Sequence, residues 1–295
     1  MIRHAFFAAA VVIVCAAASG AAPAAEDCSI KPISSLDLNT LNAGVTTVPV
    51  TLNQQPFRML VDTGDYYSAI TNRAARLLGV KTPPAANFEL RGWGGSTIDH
   101  FADLDQFGFG RMSRDKTQFM VMDEDVSGFD GLLGADFLFY YDLDFDFAKA
   151  KLSLFSPDHC KGRVVYWTKS DHGEVPFDYK DRSIQLTVNL DGKDVLAVLD
   201  TGASDTFMSF EKAQDLFDLD DKVLTDGKGH YPFKALSFGS VAVNNPEIHL
   251  ASDKDTKMLG WGGPRLLLGM GVLRRLHLYI AYKEEMLYVT PATQY

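Results

Sequence analysis

The stretch LVDTGDYYSAIT, residues 60–71, drives an apolar run into an aspartate, Asp62, followed at once by Thr63 and Gly64. A second stretch, VLDTGASDTFMS at 198–209, does the same with Asp200, Thr201 and Gly202. A single Asp at a strand end is usually a turn former or a helix cap. Two such triplets at matching places ask for another reason. Laying Asp62 on Asp200 brings Leu52 onto Leu190, Ser68 onto Thr206, Thr71 onto Ser209 and Leu78 onto Leu216 without a gap. The ends of the halves also match: DGLLGADFL (130–138) pairs with RLLLGMGVL (265–273), and DLDFDFAKAKLSLF (142–155) with HLYIAYKEEMLYV (277–289). The chain is written twice, which is to be recognised before any local element is assigned.

Within each half the pattern is mostly strand. TTVPVTLNQQPFRMLVD and SIQLTVNLDGKDVLAVLD each place two apolar runs around a polar turn, the signal of a hairpin, with Asp191-Gly192 as a strong turn dipeptide. NRAARLLG and SFEKAQDLFD predict a short helix after each triplet. Residues 156–182 are polar and turn-rich and read as a connection.

Two carboxylates held about 3 Å apart cannot both ionise and share one proton. The ionised member can take a proton from water while the protonated member donates to a substrate carbonyl. In this scheme Asp62 and Asp200 react. The Thr63 and Thr201 hydroxyls can bond across a twofold axis. Gly64 and Gly202 let the backbone turn tightly and offer an N–H to a carboxylate. No Gly-x-Ser-x-Gly elbow and no His-Glu-x-x-His occurs, and no Cys/His spacing suits a metal, so we expect neither metal nor cofactor.

The paired triplets, with LLG at 132–134 and 267–269, resemble the aspartic protease superfamily, in particular its retropepsin-like branch. The resemblance covers most of the chain after the leader. It implies a mostly β, two-lobed acid-protease-like β-barrel fold with a pseudo-twofold repeat, both triplets being supplied by one chain. It further implies an aspartic endopeptidase with Asp62 and Asp200 catalytic and with Thr63, Gly64, Thr201 and Gly202 supporting the two loops. LRGWGGST (90–97) resembles a Gly-rich flap tip, so Gly92, Trp93 and Gly94 are expected over the substrate. The second half has no matching flap: TDGKGHYPFKAL (225–236) lacks an apolar tip, and LGWGGPRL (259–266) reads as a loop near the cleft. Asp205, next to Ser204, is a candidate substrate contact, with Tyr66 and Tyr67 as the first-half counterparts. The residue after the triplet is Ala203 in one half and Asp65 in the other. An extra acid there would raise the apparent pKa values of the pair and set an optimum in mild acid.

The remaining features bound the class. The chain has 295 residues, 46% hydrophobic and 22% charged, enough for two modest domains with real cores. Residues 1–25 carry Arg3, an apolar run and small residues up to Ala24-Ala25, the layout of a secretory signal peptide. The run is too short for a span of roughly 20 residues, and neither Cys15 nor Cys28 sits in a lipoprotein site. Cleavage removes Arg3 and no acid, making the −10 chain one charge more negative. Without a basic cluster this argues against nucleic acid or anionic lipid as partners; the resemblance implies a peptide or protein substrate, and no membrane is expected after cleavage. Cys28 and Cys160 could close a disulfide in a secreted or periplasmic location. About 20 residues separate the leader from the first strand, so we expect no propeptide. The expected organisation is a signal peptide at 1–25, a first lobe with flap at 26–158, a connection at 159–182 and a second lobe at 183–295. The tandem site needs no dimer, so a monomer is expected. Two other readings remain: a catalytically inactive relative that binds peptides, and a β-sandwich binding module in which both triplets are turns.

Overall fold

The computed structural model describes residues 27–42, 44–85, 90–91, 97–122, 128–180, 183–220, 231–252 and 266–292, with backbone alone at 90, 91 and 97. The expected signal peptide lies outside them.

The protein is mostly β. In the first half, hairpin Thr46–Leu52 and Gln55–Val61 continues through Gly131–Leu133, Ala69–Thr71, Met112–Met122 and His100–Phe109. His100–Phe109 pairs back onto Thr46–Leu52, with Val50 opposite Phe109, and closes a six-stranded barrel. Period-2 patterning explains the closure. In Thr46–Leu52 the residues Val48, Val50 and Leu52 are buried while Pro49 and Thr51 are exposed. Phe107 packs edge-on to Phe119 and Phe137, at centroid distances of 5.3 and 5.2 Å, filling the barrel.

The second half repeats the order of elements. Hairpin Ser183–Leu190 and Lys193–Leu199 turns on Asp191 and Gly192, both at positive φ. The two expected helices form at Asn72–Leu78 and Phe210–Phe217. Each is capped by the hydroxyl at its N-cap: Ala74 N–H donates to Thr71 Oγ1 at 3.1 Å and Lys212 N–H to Ser209 Oγ at 3.2 Å. Two shorter helices, Ala135–Leu138 and Met270–Leu273, follow the two apolar-apolar-Gly segments.

The ends of the halves meet in a second sheet. It runs from Pro32–Asp37 through Lys151–Phe155, Asp142–Asp146, Leu276–Ala281, Met286–Pro291 and Gly173–Lys180 into the strands of the second half. Asp142–Asp146 and Leu276–Ala281, equivalent in the repeat, lie antiparallel with Asp144 opposite Tyr279. A closed barrel plus this sheet is consistent with a two-lobed acid-protease-like fold.

The stretch 156–182 departs from its reading as a connection. Gly173–Lys180 is a strand, with Val175 and Phe177 buried on one face. The rest covers a polar face of the second sheet. There Asp142 Oδ2 meets His159 Nε2 at 2.5 Å, whose Nδ1 lies 3.2 Å from Glu284 Oε1. Asp144 Oδ1 meets His277 Nε2 at 2.5 Å, and Trp167 stacks on the His277 ring at 4.3 Å. Burial carries the Asp142 carboxyl up to about 6, although the His159 and Tyr279 hydrogen bonds favour its charged form. Cys28 and Cys160 form a disulfide that ties this covering segment to the start of the described chain.

Candidate functional site

Each triplet sits where a strand runs out beside its apolar-apolar-Gly segment. Gln55–Val61 pairs in parallel with Gly131–Leu133, and the Asp62 N–H donates to Leu133 O at 3.0 Å. Lys193–Leu199 pairs in parallel with Leu266–Leu268, and the Asp200 N–H donates to Leu268 O at 2.9 Å. Both aspartates are therefore fixed by backbone bonds between apolar strands.

The two threonines lock the loops together. Thr63 N–H donates to Thr201 Oγ1 at 3.1 Å, and Thr201 N–H donates to Thr63 Oγ1 at 3.1 Å. The Thr63 hydroxyl donates to Leu199 O at 3.1 Å and the Thr201 hydroxyl to Val61 O at 2.7 Å. Both threonines are fully buried. The symmetry of these four bonds brings Asp62 and Asp200 face to face.

The glycines are required by approach. A Cβ on Gly64 would stand 2.3 Å from Asp200 Cγ, and one on Gly202 would stand 2.2 Å from Asp62 Oδ2. Each glycine thus lies against the opposite carboxylate. The backbone also supplies donors: Gly64 and Asp65 N–H reach Asp62 Oδ1 at 2.9 and 3.0 Å, and Gly202 and Ala203 N–H reach Asp200 Oδ1 at 2.8 and 3.1 Å.

The electrostatics follow from burial. Loss of solvent pushes the Asp62 carboxyl well above the usual carboxylate range, and the charges of Asp200 and Asp65 push it further. Burial carries Asp200 up to about 6, opposed by its backbone donors and by a hydrogen bond from Asp62, with Asp65 again raising it. Both shifts favour the protonated form, and two carboxyls so placed titrate as a coupled pair. That is an arrangement for general acid–base chemistry. Among the described residues no group of His, Cys, Asp and Glu side chains could hold a metal ion.

The surroundings of the two loops differ. Asp65 is exposed to solvent yet closely flanked by protein, and burial raises its carboxyl with the Asp136 charge adding to the effect. Asp136 is held by Ser68, whose N–H and hydroxyl donate to its Oδ1 at 2.9 and 2.5 Å. In the second half Thr206 takes the place of Ser68 and bonds Gly269, and no carboxylate stands where Asp136 does. The sequence reading missed the role of Asp136. Its only signal was an acid following LLGA where the repeat has glycine.

Asp205 bonds the Ser204 hydroxyl at 2.8 Å and lies 3.6 Å from His249 Nε2, with its side chain half exposed. Gly92, Trp93 and Gly94 lie outside the described residues. Only the base of that hairpin is described, Leu90–Arg91 pairing antiparallel with Thr97–Ile98. Loop 259–266 lies outside as well, except for Leu266, as does the 225–230 part of the second-half loop.

No curated protein matches the chain. Residues 48–137, which carry the first triplet, its hairpin and the Gly131–Leu133 segment, match a family model described as aspartyl protease, and this supports an aspartyl protease family for the chain.

Proposed function

We propose that the protein is an aspartic endopeptidase whose two triplets, one from each of two tandem lobes, build a single active site in one chain. The observation that carries this is the four-bond threonine lock, which sets Asp62 and Asp200 face to face, each with a raised affinity for a proton. A water between the carboxylates would give a proton to the ionised one and attack the peptide carbonyl. The protonated carboxyl would donate to the carbonyl oxygen, and the amine would leave with a proton returned from the pair. No covalent enzyme intermediate is needed. Gly92, Trp93 and Gly94 are assigned to a flap over the substrate, and Asp205 to a substrate contact. A peptide or protein is the substrate and a monomer the working unit. The Cys28–Cys160 disulfide fits an oxidising compartment, and no helix among the described residues is long and apolar enough to cross a membrane. We therefore place the enzyme outside the cytoplasm, secreted or periplasmic.

The test is hydrolysis of a diverse quenched peptide library across pH, beside Asp62→Asn and Asp200→Asn. Cleavage lost in both variants supports the shared pair. Cleavage that persists in both refutes it. Peptide binding without hydrolysis by the parent chain at any pH would favour a catalytically inactive peptide-binding protein instead.

A further inference from the structure

We propose that Asp65 makes this site selective for substrates that carry a lysine or arginine side chain on one side of the bond to be cut. The proposal rests on the protease reading above. Five observations support it.

The Asp65 backbone is pinned. Its N–H donates to Asp62 Oδ1 at 3.0 Å and its carbonyl accepts from Ala135 N–H at 2.9 Å. The side chain therefore leaves from a defined point one residue beyond the triplet. It is also accessible: Asp62, Thr63 and Ser68 around it are buried, while Asp65 is exposed. Its charge acts on both Asp62 and Asp200, so the carboxylate lies near the pair.

Among the described residues it also lacks a cation. The Tyr66 N–H bonds the Asp65 carboxylate, and the charge acting on it is the negative one of Asp136. Among the described residues no lysine, arginine or histidine pairs with it. Asp136, by contrast, is bonded by Ser68 and by the Phe137 N–H, and faces the Arg114 charge. A carboxylate partly desolvated yet accessible, and facing other acids, is stabilised by a cation brought by a ligand.

Finally, the other side of the pair is different. Ala203 stands at the equivalent place and packs with Val198, Leu267 and Phe207. Cation preference is therefore directional: it applies on the Asp65 side of the scissile bond, and an apolar side chain suits the other.

The experiment uses matched peptides in which each position flanking the cleaved bond is lysine or norleucine, and arginine or citrulline. kcat/KM is measured for the parent chain, Asp65→Asn and Asp65→Ala. A charge-assisted hydrogen bond predicts a roughly ten- to hundred-fold preference for the cationic peptide at one position. It should collapse toward unity in both variants. Taking the ratio between two peptides removes any change in the pair's own protonation. The preference should also grow with rising pH as Asp65 ionises against Asp62, Asp200 and Asp136, with Arg114 beyond Asp136. No preference in the parent chain overturns the proposal, and so does one that survives in Asp65→Asn. Cleavage of the norleucine and citrulline peptides separates this failure from a failure of the protease reading, in which no peptide would be cut and both would fall.

Discussion

Replacing Thr63 by valine tests whether the two halves are held by the threonine lock. Valine keeps the shape and removes the hydroxyl. Two buried backbone groups lose their partners: Leu199 O, which accepts from Thr63 Oγ1 at 3.1 Å, and Thr201 N–H, which donates to it at 3.1 Å. Thr63 and Thr201 are fully buried, so water cannot substitute. Each buried polar group left unpaired costs about 1–3 kcal/mol, so the pair should cost about 2–6 kcal/mol. In a protein of this size each kcal/mol lowers Tm by about 2–4 °C, giving a fall on the order of 10 °C. Thr201→Val removes a different pair of bonds, those to Val61 O and Thr63 N–H. The two losses share no bond, so the double variant should lose about the sum. Thr63→Ser, which keeps the hydroxyl, should recover most of the loss. The assay is urea unfolding with the slope checked for constancy, beside a thermal scan. A loss below about 1 kcal/mol for Thr63→Val would refute the reasoning, because the bonds would then be replaceable.

Other consequences are equally direct. Gly202→Ala sets a methyl 2.2 Å from Asp62 Oδ2, so peptide hydrolysis should fall at least a hundred-fold, roughly the effect of a 1 Å misplacement; near-parent activity would mean that the loops can part freely. In Asp65→Ala the negative charge that raises Asp62 and Asp200 is gone, so both carboxyls lose protons at lower pH. The pH profile of kcat/KM should shift to lower pH, from a parent optimum in mild acid. A parent profile peaking below about pH 3, under the unperturbed Asp value, would contradict this, as would an unmoved variant. Replacing Cys28 and Cys160 together by serine opens a link across 132 residues, and chain entropy puts the loss at about 5 kcal/mol, read as a lower urea midpoint.

Much of the site is legible in one dimension, because the chain states it twice. The offset that lays Asp62 on Asp200 also lays hairpin on hairpin and cap on cap, since these depend on residues a few places apart. Thr71 and Ser209 cap helices whose residues follow them directly, and Asp191-Gly192 turns a hairpin within four residues. The pairing of Cys28 with Cys160 was open to reading because only two cysteines follow residue 25.

What the linear order conceals is who meets whom across the molecule. Gly173–Lys180 reads as part of a polar connection, because every other residue faces out. Its inward Val175 and Phe177 gain meaning only when Met286–Pro291 lies beside it. Asp142, Asp144 and Asp146 alternate visibly along one strand, yet the histidines that answer two of them come from positions 159 and 277. The same holds at the centre. The triplets themselves are written in the chain, but the crossing that sets each glycine against the opposite aspartate is not. Nor is the crowding of Asp65 against Asp136, seventy-one residues on. Local hydrogen-bonding and side-chain alternation act over a few residues and leave their mark on the sequence. Burial and the fields of distant charges depend on how strands close into a barrel, and only the folded chain decides them.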